Sequence, residues 1–167
     1  MSFRLVFTIR NPMHHIQELS FMSFKAYFDG SCFLNYCAIG YMIRDSDGSS
    51  VCQVSEYAGR GDPLKAEYLA LMAVLERLAS LSVDHAVIHG DSRTVIGQVN
   101  GQISTRRNNR FREVIMKTRD FLRDHPGWHL KWIPREENGL ADALATEGLC
   151  DVRTNRRPAL FVKIPTY

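Results

Sequence analysis

A chain of 167 residues, 45% hydrophobic and 23% charged, suits one globular domain with short appendages. No apolar run approaches the ~18 residues of a membrane span. The opening MSFRLVFTIR lacks a long apolar stretch and a small-residue cleavage site, so neither a signal peptide nor a membrane partner is expected and the cytoplasm is favoured. The four cysteines (Cys32, Cys37, Cys52, Cys150) have no zinc-like spacing and are expected to be reduced, mostly buried thiols. The net charge of +3 is unevenly placed: residues 1–100 carry 8 Lys/Arg against 10 Asp/Glu, and residues 101–167 carry 13 against 8. The excess is densest in RRNNRFREVIMKTRDFLR, which is either a polyanion footprint or a solvated helix face.

Residues 1–22 show no clear period and read as an N-terminal extension. His14 and His15 within it make a poor metal pair, because adjacent side chains rarely converge on one ion. Phe24–Gly30 reads as the first strand, stopping on Asp29-Gly30, which is also ordinary turn chemistry. CAIGYMIR (37–44) alternates Ile39, Tyr41 and Ile43 as a second strand; DSDGSS signals a hairpin, and VCQVSEY (51–57) returns as the third. Asp62 and Pro63 suit the cap and first turn of a helix running to about Leu81. HAVIHG (85–90) is a short apolar strand of the kind found at a sheet centre, and Asp91-Ser92 cap a short helix to about Asn100. A basic helix is expected from about Arg107 to Arg123, broken by HPG. WHLKWI (128–133) is the fifth strand, Glu136 to about Glu147 the last helix, and residues 149–167 a tail with Arg153, Arg156 and Arg157. This β-β-β-α-β-α-α-β-α order predicts an α/β fold, a mixed sheet with helices packed on its faces, over residues 23–148.

Four acids sit awkwardly in this plan. Glu67 falls inside the apolar stripe Leu64, Tyr68, Leu71, Leu75 and Leu78, and Asp142 inside GLADALA, which reads as a helix packed nearly all round. An ionised carboxylate there is costly unless compensated; an edge position reaching water is the plainer explanation. Asp91 ends a central strand, where it could serve as a helix cap. The carboxyl end of a strand is also where open α/β sheets hold their sites. With Asp29, each of the four breaks a local rule. Converged, they would raise one another's pKa values, and a divalent cation would cancel that. Oxygen ligands without thiolate or imidazole suit Mg²⁺ or Mn²⁺.

YFDGSC (27–32), LKAEYLALMAVLERL (64–78), VIHGDSRTVIGQVNG (87–101) and KWIPREENGLADALATEG (131–148) together resemble ribonuclease H type 1, in its small reverse-transcriptase-like branch. The resemblance implies an RNase H-like fold, a five-stranded sheet of order 3-2-1-4-5 with helices on both faces. It also implies a monomeric endonuclease that hydrolyses the RNA strand of RNA/DNA hybrids, leaving 5′-phosphate and 3′-hydroxyl ends. Asp29, Glu67, Asp91 and Asp142 would hold two Mg²⁺ or Mn²⁺ ions roughly 3.5–4 Å apart. Asp29 would bridge them, with Asp91 and Glu67 at the ion nearer the leaving oxygen and Asp142 at the ion carrying the attacking water.

The family's catalytic histidine has no equivalent in WIPREENG; Arg135 is the candidate to stand there and His129 a weaker one. Asn138 matches a family position. The family's glycine- and proline-rich loop is reduced to FLNYCAIG, keeping Asn35, and its Thr-Asn-Asn is replaced by DPL (62–64). The 2′-hydroxyl would be read by amides near Gly30 and Ser31 and by Asn35, with Ser92 and Asn138 also in the substrate-binding set. Arg106, Arg107, Arg110 and Arg112 would hold the DNA strand. Two alternatives stay open: a weakly active or inactive module binding hybrid or double-stranded RNA, and another metal-dependent phosphodiesterase such as a DNA exonuclease.

Overall fold

The computed structural model describes residues 23–153. The expectations for residues 1–22, His14 and His15 included, and for Arg156 and Arg157 fall outside the described residues.

Alternating apolar residues and short turns build a three-stranded meander first. Strands β1 (Phe24–Phe33) and β2 (Tyr36–Arg44) pair antiparallel, with Asp29 opposite Gly40. Leu34 and Asn35 join them with φ of 48° and 65°, the double left-handed geometry of a tight hairpin. Strand β3 (Ser50–Arg60) pairs with β2 after a turn closed by the Asp45 carboxylate, which accepts from the Asp47 and Ser49 amides. Helix α1 (Pro63–Ser80) follows, its Asp62 cap accepting from the Leu64 and Lys65 amides. Strand β4 (Ala86–Gly90), helix α2 (Arg93–Val99), helix α3 (Arg112–Asp124) and strand β5 (Trp128–Trp132) come next; the short turn Arg135–Glu137 leads into α4 (Gly139–Arg153).

The sheet order is β3-β2-β1-β4-β5, with β4 parallel to both β1 and β5, as expected. One face carries α1 to α3 over a core that includes Phe28, Tyr68, Leu71, Leu75, Ile88 and Ile115. The other face carries α4, which packs on β1, β2 and β3. Gly40 makes that packing possible, since a Cβ there would overlap the backbone of Ala141 and Ala145. Among the described residues no helix is long and apolar enough to cross a membrane.

Five expectations change. Strand β1 does not end at Asp29-Gly30; it continues to Phe33 because β2 still pairs with it. Cys32 and Cys37 are a disulfide rather than two thiols: the tight turn sets them directly opposite each other, Cα atoms 4.1 Å apart. Cys52 is a buried thiol and Cys150 is exposed. The basic helix begins at Arg112, not Arg107, because polar RRNNR forms turns instead, with the Asn109 side chain accepting from the Phe111 amide. The last helix starts three residues late, at Gly139, and reaches Arg153. It is not packed all round: Leu140 is 41% exposed and Ala143 lies open beside it.

Candidate active site

Parallel pairing of β1 with β4 stops at Tyr27 and His89, and β4 itself ends at Gly90. Strand β1 runs on alone on that side, so a crevice opens beside Asp29, outside the carboxyl end of β4. Gly30 brings the first helix to this crevice. A Cβ on Gly30 would overlap the backbone of Ala66 and Glu67, so only glycine lets α1 lie this close to β1. Asp91 follows β4 directly, and its carbonyl accepts from the Trp132 indole N–H at 2.9 Å. Arg93 covers the same indole ring at 4.1 Å.

Asp29, Glu67 and Asp91 thereby bring one carboxylate oxygen each within 4.8 Å of one another. Asp29 is 6% exposed. Burial, then the charges of Asp91 and Asp142, push its pKa up to about 7, against the Gly30 N–H and Arg135. Burial also pushes Glu67 up to about 9, with Asp29 and Asp91 adding to the effect. Glu67 Oε2 is buried and has no hydrogen-bond partner. Three acids share one crevice with an orphaned oxygen among them, a set of hard donors short of positive charge. Asp29, Glu67 and Asp91 therefore fit a hard divalent cation.

Asp142 is not part of that trio. It lies in the first turn of α4, its side chain 34% exposed, and accepts from Arg135 Nη2 at 2.6 Å. Its charge still reaches Asp29. Arg135 is thus beside the site, while His129 lies on β5 away from the cluster, register partner of Val87.

The remaining sequence candidates divide. Asn138 is 1% exposed, and its amide donates to the Phe28 carbonyl at 2.9 Å, tying the start of α4 to the residue before Asp29. The Ser92 hydroxyl caps α2 by accepting from the Val95 amide. The Gly30 amide is turned to the Asp29 carboxylate, and Ser31 beyond it is half-buried. Asn35 is exposed at the hairpin tip, where its carbonyl accepts from the Gly61 amide at 2.9 Å. Arg106 and Arg107 are exposed in the turns before α3. Arg110 is engaged, 3.0 Å from the Asp62 carboxylate and over the Phe111 ring.

Sequence reasoning missed Trp132, which anchors Asp91; a tryptophan closing the short strand WHLKW was the available signal. It weighed Gly30 as turn chemistry and as a substrate-binding amide, whereas the property that shapes the crevice is the absence of a Cβ.

A sheet of this order, with clustered carboxylates beside the carboxyl ends of its parallel strands, defines a ribonuclease H-like protein. Residues 27–148 match the family described as reverse transcriptase-like. Over 128 residues the chain is 35% identical to ribonuclease HI of Halobacterium salinarum, covering 75% of this chain and 64% of that one. The chain thus spans a little under two thirds of the length of that curated relative. The crystal structure of RNase H1 from Halobacterium salinarum superposes with a TM-score of 0.72 at 34% identity, over 77% of this chain and 98% of that one. LC11-RNase H1 in complex with RNA/DNA hybrid gives 0.70 at 26% identity, over 78% and 99%. The chain belongs to the reverse transcriptase-like family, among its type 1 ribonucleases H.

Proposed function

We propose that this chain is a metal-dependent endoribonuclease that cuts the RNA strand of RNA/DNA hybrids and leaves 5′-phosphate and 3′-hydroxyl ends. It works in this reading as a cytoplasmic monomer with two Mg²⁺ or Mn²⁺ ions. The observation that carries the reading is the cluster of a buried Asp29 with half-buried Glu67 and Asp91, one Glu67 oxygen inside it buried and unpartnered. The relatives support the substrate: they are named ribonucleases H, and one was crystallised on an RNA/DNA hybrid.

Asp29, Glu67 and Asp91 hold the cations at the end of β4. Ions held by these three acids would supply an activated water and would offset the charge that develops on the phosphorus and the leaving oxygen. Asp142 completes the acid set from the opposite helix once Arg135 lets go of it. That guanidinium is then free to face a phosphate, the role assigned here in place of a histidine. The amides near Gly30 and Ser31, with the exposed Asn35 side chain, meet the 2′-hydroxyls of a shallow minor groove. Arg106 and Arg107 contact the DNA strand by charge alone, so cutting is largely independent of sequence. Asn138 and Ser92 act behind the substrate, by fixing α4 and α2. A binding module that has lost catalysis would keep the arginines but has no use for a buried, unpartnered carboxylate.

The test is a labelled RNA/DNA hybrid beside single-stranded RNA, double-stranded RNA and double-stranded DNA, with product ends mapped. Cleavage confined to the RNA of the hybrid, with 5′-phosphate products, supports the reading. Binding without cleavage in either metal would transfer the protein to the binding class.

A further inference from the structure

Helix α4 covers only part of its side of the sheet. It packs on β1, β2 and β3 and leaves the same face of β4 and β5 open. The register fixes what stands there. Lys25 and Tyr27 of β1 are partnered by Arg44 and Met42 on β2 and by Val87 and His89 on β4. His129 and Lys131 on β5 continue the two rows.

This face breaks a rule of sheet pairing. Lys25 and Arg44 sit directly opposite across an antiparallel pair, an arrangement that like charges destabilise. Lys131 closes the neighbouring row, that of Tyr27 and His89, with a third cation. Lys25, Arg44 and Lys131 are exposed, and none has a side-chain ion pair or hydrogen bond among the described residues. Glu137 is the acid that acts on His89, against Lys131 and Lys25.

Between the cations lies an aromatic pair. Tyr27 and His89 are half-buried and stacked, ring centroids 4.8 Å apart and 21° from parallel, with His89 Nδ1 donating to the Ala26 carbonyl. A hollow of about 150 Å³ beside Tyr27 separates Arg44 from the first turn of α4. Cations on either side of a pair of stacked rings match a nucleic-acid strand whose bases are free to stack; a duplex keeps its bases to itself. The face is also continuous with the carboxylates, since Tyr27 and His89 each stand two residues before one of them, Asp29 and Asp91.

We propose that this open face binds single-stranded nucleic acid, seating the unpaired strand that continues from a hybrid held at the carboxylates. The inference rests on the hybrid reading above for its direction, but the face itself can be tested alone. Lys25 and Lys131 belong to no part of the carboxylate site, so a Lys25→Glu/Lys131→Glu protein isolates the face.

Fluorescence anisotropy in EDTA, where no metal supports cleavage, would compare three probes: a blunt hybrid, the same hybrid with a single-stranded extension on either strand, and a free single-stranded 12-mer. The wild type is expected to bind an extended hybrid about tenfold more tightly than the blunt one. The double variant should lose that gain and the free-strand binding while holding the blunt hybrid within about twofold. A Lys25→Arg/Lys131→Arg protein should regain both, and an unchanged melting temperature shows that each variant is folded. Equal losses on blunt and extended hybrids, or no gain from an extension in the wild type, would overturn the proposal. If the wild type ignores the blunt hybrid yet binds the free strand through these lysines, the face stands and the hybrid reading falls.

Discussion

Glu67 on α1 and Asp142 on α4 approach β1 from opposite faces of the sheet, and their carboxylates meet opposite conditions. Glu67 is deep, has an oxygen with no partner, and is pushed up to about 9 by burial and by Asp29 and Asp91. Asp142 reaches solvent and already owns a counter-charge in Arg135. A buried acid without compensation lowers stability unless something binds there. An exposed pair is nearly neutral in stability, so it is free to exchange partners. The inner acids are thus held ready for a cation at the expense of the metal-free fold, while the outer pair is a movable element at the mouth.

Neutralising the inner acids should have the largest effect. Asp29→Asn and Glu67→Gln should each lower hybrid cleavage by about a thousandfold or more, roughly 4 kcal/mol of transition-state stabilisation. Glu67→Gln should at the same time raise the metal-free melting temperature at pH 8. A fall in melting temperature would mean that Glu67 is compensated in the fold after all.

The second test is pH. Asp29 moves from 3.8 to about 7, and Glu67 from 4.5 to about 9, on folding. Between those values the folded protein binds more protons than the unfolded chain, so stability falls as pH rises. Melts in EDTA should therefore drop from about pH 4 towards pH 9, by an amount on the order of a few kcal/mol. Millimolar Mn²⁺ should recover much of the loss at the alkaline end, because it binds only the folded site. A flat profile in EDTA would remove the distinction between inner and outer acids.

Gly30→Ala sharpens the geometry behind the inner site. The added Cβ meets α1 backbone rather than a flexible side chain, so the helix must shift. A loss of about 1–3 kcal/mol is expected in denaturant melts, with cleavage falling further than stability because Glu67 moves with α1. The smallest effect belongs to the outer pair. Arg135→Ala should change stability by less than about 1 kcal/mol in the same melts. A larger loss would show that the pair is structural and not movable.

Much of this contrast was legible in the residues. Glu67 interrupts an apolar stripe, and a stripe with period 3.6 states which face is buried. Three meandering strands and two later βαβ strands implied a mixed sheet, and the resemblance to ribonuclease H supplied its order. Other features depend on who the neighbour is. Asp29 reads as a strand end because its pairing with β4 has stopped, while the hidden pairing with β2 carries β1 to Phe33. Asp142 looks buried among alanines, but α4 is covered on one side only, so its carboxylate faces out to Arg135. The disulfide was invisible because FLNYC reads as a loop; once Leu34 and Asn35 form a tight turn, Cys32 and Cys37 must meet. Polar RRNNR carried the charge of a helix without its cap.

Whether Asp29, Glu67 and Asp91 hold a catalytic metal is decided by cleavage of an end-labelled RNA/DNA hybrid by the wild type and by Asp91→Asn, in Mg²⁺, Mn²⁺ and EDTA. The wild type should cleave the RNA strand with metal and not in EDTA, and the variant should not cleave it at all. Cleavage that persists in EDTA, or an Asp91→Asn protein as active as the wild type, would contradict the metal-holding role given to Asp29, Glu67 and Asp91.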